Sequence, residues 1–248
     1  MRASRIAAMA VLVAAGTAGR AHAQGADDRF RISADAGVQF SSIAFDTAAT
    51  RLIYLENASL NTSYKVRRGL LGDGGISIRL AGGFGIGVAV SSLTAKHDAD
   101  VSAAVPHPFF FKTPRTVTGT APGLRRQELA VHVQGVYILH PRSSVEVILA
   151  AGPTFFQVRQ DVVTDIAFTD VYPYDAPAFT SASTQRVTAS KTGFNAGADV
   201  GVRLSHHAGL GGGVRFSRAV VDLAVPNGAT VSSDAGGAQV AGGLRLYF

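Results

Sequence analysis

Cysteine is absent from this sequence, and so is tryptophan. Without cysteine there is no disulfide scaffold, thiolate metal site, cysteine nucleophile or lipidated N-terminal cysteine. Charge is also scarce, at 16% of the 248 residues, where a soluble domain carries about a quarter. Hydrophobic residues reach 47%, yet no run of about 18 apolar residues occurs, which excludes a helical membrane span. What is present is glycine, 28 residues of it, among dispersed apolar positions.

The N-terminus reads as a sorting signal. Two arginines lie within Met1–Arg5, an apolar stretch covers Ile6–Ala18, and Ala21-His22-Ala23 fits a small-x-small cleavage site. This is the layout of a secretory signal peptide, so residues 1–23 are expected to be removed and 24–248 to form one domain. Arg2, Arg5 and Arg20 leave with the signal, and the formal net charge falls from +6 to +3. So small an excess implies no nucleic-acid partner.

The mature chain repeats a period of two. In its first strand Phe30, Ile32, Ala34, Ala36, Val38 and Phe40 share one face, and Arg31, Ser33, Asp35, Gly37 and Gln39 share the other. Similar alternation recurs from Ile76, Phe84, Leu129, Val145, Phe194, Leu210 and Ala238. That makes eight strands, of which the second is the weakest because Gly69, Gly72, Gly74 and Gly75 blur it. The connections alternate in length. Ala81–Gly83, His140–Ser144 and Ser205–Gly209 are tight turns; Ile43–Tyr64, His97–Gly123, Arg159–Gln185 and Asp222–Ala235 read as long polar loops. A soluble β-sandwich would not sort its loops in this way. The face opposite the greasy one carries five arginines and four acids, which no dry soluble barrel core could hold without extensive pairing. The pattern predicts an all-β, eight-stranded, antiparallel up-and-down transmembrane β-barrel, or ten strands if one long loop folds into a further hairpin.

The closing segment, Val240-Ala-Gly-Gly-Leu-Arg-Leu-Tyr-Phe248, ends on Phe with apolar residues at alternate preceding positions. With Gly-rich strand starts such as Gly82-Gly83-Phe84-Gly85, it resembles the small outer-membrane β-barrel family, the OmpA/OmpX-like group, over about Ala26–Phe248. The resemblance implies outer-membrane location, periplasmic termini and extracellular loops. It also implies that Leu244, Leu246 and Phe248 form a signal for the outer-membrane assembly machinery. The peptidoglycan-binding domain of some larger relatives is not matched, and that function is not carried over.

Strand parity points Arg31, Asp35, Arg79, Glu128, His132, Glu146, Asp199, Arg203, Arg215 and Arg245 inward. In a bore just wide enough for side chains these charges must pair or stay hydrated, as a plug of salt bridges or as the lining of a narrow pore. Counting from His207 as the centre of its turn sets Asp199 opposite Arg215 as an ion pair. A general base could be sought in His132 with Glu128, but the His-x-Ser pattern of lipid A deacylases is missing, and no enzyme activity is expected. The glycine runs precede no helix and bind no nucleotide, and Asp161, Asp165, Asp170 and Asp175 lack calcium-loop spacing and read as a solvated acidic loop. No cofactor or metal is implied. Phe109-Phe110-Phe111 form either an adhesive tip or a segment folded onto the rim.

Carried to the loop end, the outward parity collects Arg68, Lys96, Arg125, Arg159, Arg186 and Arg218. These six are expected to form a belt that binds lipopolysaccharide phosphates. The expected role is structural or surface-interacting, with a small porin-like channel as the alternative and a lipid-modifying enzyme as a third. The sequence names no extracellular ligand.

Overall fold

The computed structural model describes residues 29–142, 144–226 and 229–248; residues 1–23, expected to be a signal peptide, lie outside them. Eight strands follow in order, β1(Phe30–Ile53), β2(Glu56–Ala81), β3(Phe84–Val105), β4(Arg115–Arg142), β5(Val145–Thr169), β6(Ala178–Arg203), β7(Ala208–Ala224) and β8(Thr230–Tyr247). Each pairs antiparallel with the next, and β8 returns to β1 to close the ring. Phe30 and Phe248 exchange two backbone hydrogen bonds at 2.9 Å, which seals the lower end of that seam.

The four segments expected as polar loops are mostly strand. β1 and β2 continue to a two-residue turn at Tyr54-Leu55, both with positive φ, the mirror-image turn that suits strand twist. The alternation changes phase on the way up each wall, which is why it escapes a search for one constant pattern. In the lower half the exposed outward face is apolar, as in Phe84, Ile86, Val88 and Val90 on β3, and the inward face is polar or small apart from a patch of Val136, Ile138 and Ile148. In the upper half the inward face is apolar and the outward face polar. Leu93, Ala95, Ala99 and Val101 on the same strand are buried, while Lys96, Asp98 and Asp100 are exposed. Lipid surrounds the first zone, so greasy side chains turn out. Water surrounds the second, so they turn in.

The lipid-facing band runs from Phe30, Leu80, Phe84, Leu204 and Leu246 up to Phe40, Leu70, Val90, Leu129, Phe155 and Phe216. Above it, Ile43, Phe45, Tyr64, Val66, Val101, Leu124, Val162, Leu223 and neighbours form a dry core inside the barrel. Phe45 and Tyr64 stack at 4.5 Å within it.

The wall is not equally complete at all heights. β6 pairs with β7 only up to Phe194–Arg218, and β1 with β8 only up to Phe40–Ala238. Beyond those rows β7 and β8 pair with each other alone. Their hairpin tilts into the mouth, packing Ala219, Val221 and Ala235 against Ala130, Phe156 and Val158 of the β4 and β5 walls. The bend is at Gly236 and Gly237, with φ of 87° and 150°. A Cβ at Gly236 would meet the Ser217 carbonyl at 2.3 Å, and one at Gly237 the Phe40 carbonyl at 2.4 Å. Only glycine fits both the backbone and the space.

Candidate functional site

The lumen is layered. At the end of the barrel that carries the chain termini Arg31 meets Glu146 at 3.2 Å, with His140 3.4 Å from the same carboxylate. Arg203 lies over the Tyr247 ring at 4.1 Å, and Arg79 occupies the inward parity beside Gly85. One layer up, the buried Arg245 bridges Asp35 and Asp199, both at 2.5 Å, and Arg31 also reaches Asp199. Arg215 pairs with Asp73 at 2.5 Å. A cavity of about 90 Å³ lies among these groups, room for about three waters.

The ion pair expected between Asp199 and Arg215 is therefore replaced by others. The two residues share the inward face, but the β6–β7 turn closes as Arg203–Gly209, which sets Gly213 opposite Asp199 and Gly197 opposite Arg215. The turn is centred one residue earlier than expected, at His206. Such an offset moves the partner by two positions and leaves the face unchanged. Asp73, the true partner of Arg215, stands in the glycine stretch that blurs the second strand; stepping back by twos from Arg79 would have reached it.

Above this, His132 is fully buried, with Nε2 2.9 Å from the Ser91 hydroxyl and Nδ1 2.8 Å from that of Thr154. Asn195 donates to the same Thr154 oxygen at 2.8 Å and accepts from Gln134 at 2.5 Å. Ser91 reaches His132 from the neighbouring strand, through the pair Ala89–His132, a proximity invisible to a local motif. Glu128, the candidate orienter of His132, is engaged elsewhere. Its carboxylate takes Arg126 Nε at 2.7 Å, Gln39 Nε2 at 3.2 Å and the Gly236 N–H at 3.0 Å. Ser91 and His132 are both buried inside the barrel.

Arg126 shares the inward face of β4 with Glu128 and is fully buried. It donates to the Ser233 hydroxyl at 3.1 Å and the Asp234 carbonyl at 2.5 Å, fastening the β8 hairpin across the lumen. Gln160 joins Arg126 to His97, which sits at the lower edge of the dry core. Burial, and then the Arg126 charge, hold the His97 imidazole below its ordinary range.

The tips of two hairpins meet at the outer end. The buried Arg115 makes a forked ion pair with Asp170 at 2.5 and 2.9 Å and donates to the carbonyls of Tyr174 and Pro106. Phe109 packs on Tyr174 at 5.4 Å and Phe110 on His107 at 4.8 Å. Even so, Phe109, Phe110, Phe111, Tyr172 and Val171 are each at least 63% exposed. Of the four aspartates only Asp175 is solvated as expected. Asp161 pairs with Arg186, Asp165 with Arg51, Asp170 with Arg115, and Asp175 lies 3.9 Å from His107. The hydrogen bond from Arg186 holds Asp161 below the usual carboxylate range. Among the described residues no group of acids and histidines could hold a metal ion. A second cavity, about 270 Å³, opens near the tips between Arg51, Ile53, Leu60, Val105, Asp165 and Phe168.

All six cations expected in the belt are exposed, but they differ in their surroundings. Arg186 is bound to Asp161, and Arg218 pairs with Asp234 at 3.2 Å. Arg68, Lys96, Arg125 and Arg159 make no ion pair among the described residues. Arg67 and Lys191, inward by parity, are exposed as well; Arg67 stands where the β2–β3 register breaks between Tyr64 and Leu70. Leu244, Leu246 and Phe248 are exposed on the lower barrel wall.

No protein-family model matches the chain, and no curated protein matches it. Solved structures do. Neisserial surface protein A is 16% identical with a TM-score of 0.42, over 88% of this chain and 97% of that one. The outer membrane protease OmpT from Escherichia coli is 11% identical, with a TM-score of 0.47 over 89% and 97%. The attachment invasion locus protein Ail of Yersinia pestis is 10% identical, with a TM-score of 0.35 over 88% and 99%.

Proposed function

We propose that this barrel is an exported outer-membrane protein with its hairpin tips outside and its termini in the periplasm, and that it has a non-enzymatic, surface-interaction role. The carrying observation is the aromatic crown. Phe109, Phe110, Phe111 and Tyr172 remain exposed although Arg115 ties their two hairpins together. An exposed apolar cluster on a stiff support suits contact with another surface. Leu244, Leu246 and Phe248 fit a role as the segment read by the assembly machinery.

The upper core argues against the alternative of a pore. Below it the lumen is polar, but an ion moving outward would meet Val66, Val101, Leu124 and Leu223, with only scattered polar groups such as Thr47, Thr62 and His97 among them, at a desolvation cost. The third reading, an enzyme acting on lipid, has no support from Ser91 and His132, which lie inside the wall and out of lipid reach.

Single-channel recording of the purified barrel in planar bilayers tests the reading. The expected result is no steady conductance. Stable, reproducible conductance steps would replace the closed barrel with a channel.

A further inference from the structure

Lys96 on β3 is the register partner of Arg125 on β4. Both are exposed, and like charges directly opposite each other on one sheet face destabilise it. Arg68 adds a third cation on the adjoining strand β2, at the bulge between Tyr64 and Leu70. Arg159 lies opposite Gln127, one step below Arg125 on the next pair of strands. The nearby carboxylate of Asp161 accepts the Arg125 backbone N–H at 3.1 Å, and both its oxygens are held by Arg186 at 2.8 and 3.2 Å. It makes no ion pair with the Arg125 guanidinium.

The other side of the barrel is arranged differently. There Arg186, Lys191 and Arg218 each have a carboxylate of this chain, from Asp161, Asp222 and Asp234. On β6–β8 each cation thus has its own carboxylate. On the outward faces of β2–β5 four cations, Arg68, Lys96, Arg125 and Arg159, form no ion pair among the described residues. They have near them only Asp98, beside Lys96 on β3, and Asp161, whose charge Arg125 feels but Arg186 holds. That sector keeps a net positive charge which an anion from outside can offset.

Height selects the anion. On the same strands the lipid-facing band ends at Leu70, Val90, Leu129 and Phe155. Only short polar side chains such as Thr94, Gln127 and Gln157 separate it from the cations. A ligand with acyl chains on the band would bring its headgroup to Arg68, Lys96 and Arg125. Guanidinium groups bind phosphate oxygens in a forked geometry, and Lys96 adds a point charge.

We propose that the outward faces of β2–β5, through Arg68, Lys96 and Arg125 with Arg159 at the edge, bind the phosphates of an outer-leaflet glycolipid. The site is narrower than a continuous belt and excludes Arg186 and Arg218. It rests on the outer-membrane placement proposed above.

The test uses the full barrel folded in a zwitterionic detergent, with thermal unfolding followed while bis-phosphorylated lipid A or its dephosphorylated form is added. Lipid A should raise the unfolding midpoint of the wild type and of the control Arg186→Gln/Arg218→Gln. In Lys96→Gln/Arg125→Gln the apparent affinity should fall by about tenfold or more, the loss of one charge-assisted contact or several. Without lipid A the same variant should unfold close to the wild-type midpoint, because the repulsion between Lys96 and Arg125 and their attraction to Asp98 and Asp161 are removed together. The dephosphorylated lipid should have no effect. Equal responses of this variant and the wild type, or equal effects of the two lipids, would overturn the site. So would stabilisation by a soluble sulfated sugar and not by lipid A, which would assign the patch to a free polyanion. If the double variant does not fold, Arg68→Gln carries the same comparison. A folded wild type that ignores lipid A sinks the site and leaves the membrane placement standing.

Discussion

Glu128 of β4 accepts a hydrogen bond from the backbone N–H of Gly236 in β8 at 3.0 Å, across the lumen. The other carboxylate oxygen takes Arg126 Nε, and Arg126 in turn holds Ser233 and Asp234. Two side chains of one strand thus fasten the bend of another that is not its neighbour in the wall.

Replacing Glu128 by Ala should leave a buried guanidinium without its partner, at a cost of about 3–5 kcal/mol. The double change Arg126→Leu/Glu128→Leu should cost less than Glu128→Ala alone. Urea unfolding of the purified barrel, followed by its shift in electrophoretic mobility, measures both. A double variant less stable than the single one would contradict the pairing.

Gly236→Ala should destabilise the barrel by about 1–3 kcal/mol, since it combines a positive φ with a clash against the Ser217 carbonyl. Gly72→Ala is the contrast: nothing lies within 4 Å of the added methyl, and a change within about 0.5 kcal/mol is expected. Similar unfolding midpoints for the two variants would show that the bend does not depend on glycine.

His97 makes the upper barrel sensitive to acid. Its folded-state pKa lies below the unfolded value of 6.5, so the unfolded chain binds more protons in that window. Stability is then complete above about pH 6.5 and declines as pH falls from there towards the folded pKa. The faces around it carry Arg126, Asp98 and Asp161, and Gln160 lies 3.2 Å from Nε2. Unfolding midpoints between pH 7.5 and 5 should fall for the wild type and stay flatter for His97→Gln. Parallel curves would remove His97 as the source.

Changing Phe109, Phe110 and Phe111 together to Ser should leave the unfolding midpoint nearly unchanged, because all three are exposed. Adherence of cells displaying the protein to an apolar surface should drop. Unchanged adherence would remove these residues from the contact surface.

The lower barrel was legible because the rule there is local. Arg31, Asp35, Glu146, Asp199, Arg215 and Arg245 are inward by parity alone, and parity survives the turn offset that reassigned Asp199 and Arg215. Partners were not legible, since they depend on which strands meet across the lumen. Arg215 reaches Asp73 and Arg126 reaches Ser233, over 142 and 107 residues of chain. The upper barrel was hidden by its inverted alternation. Ile43, Phe45 and Val101 continue the strands with apolar groups inside and polar ones outside, the opposite of what a lipid-facing wall requires. The segments therefore read as loops. The cationic row lay between these cases. Parity found its members, but only the register showed that Lys96 faces Arg125 and that Asp161 is held by Arg186.

The hairpin of β7 and β8 parts from both neighbours at Phe194–Arg218 and Phe40–Ala238. Below those rows every seam is a ladder of backbone bonds in a medium that offers no substitute partners, so opening it has no cheap first step. Above them the hairpin is kept in place by side chains, Arg126 and the faces of Val221 and Leu223, and water can compete for each backbone group that is exposed. One continuous sheet thus has two rhythms along its axis. Its base is locked, and its outer end can breathe by the swing of a single stave.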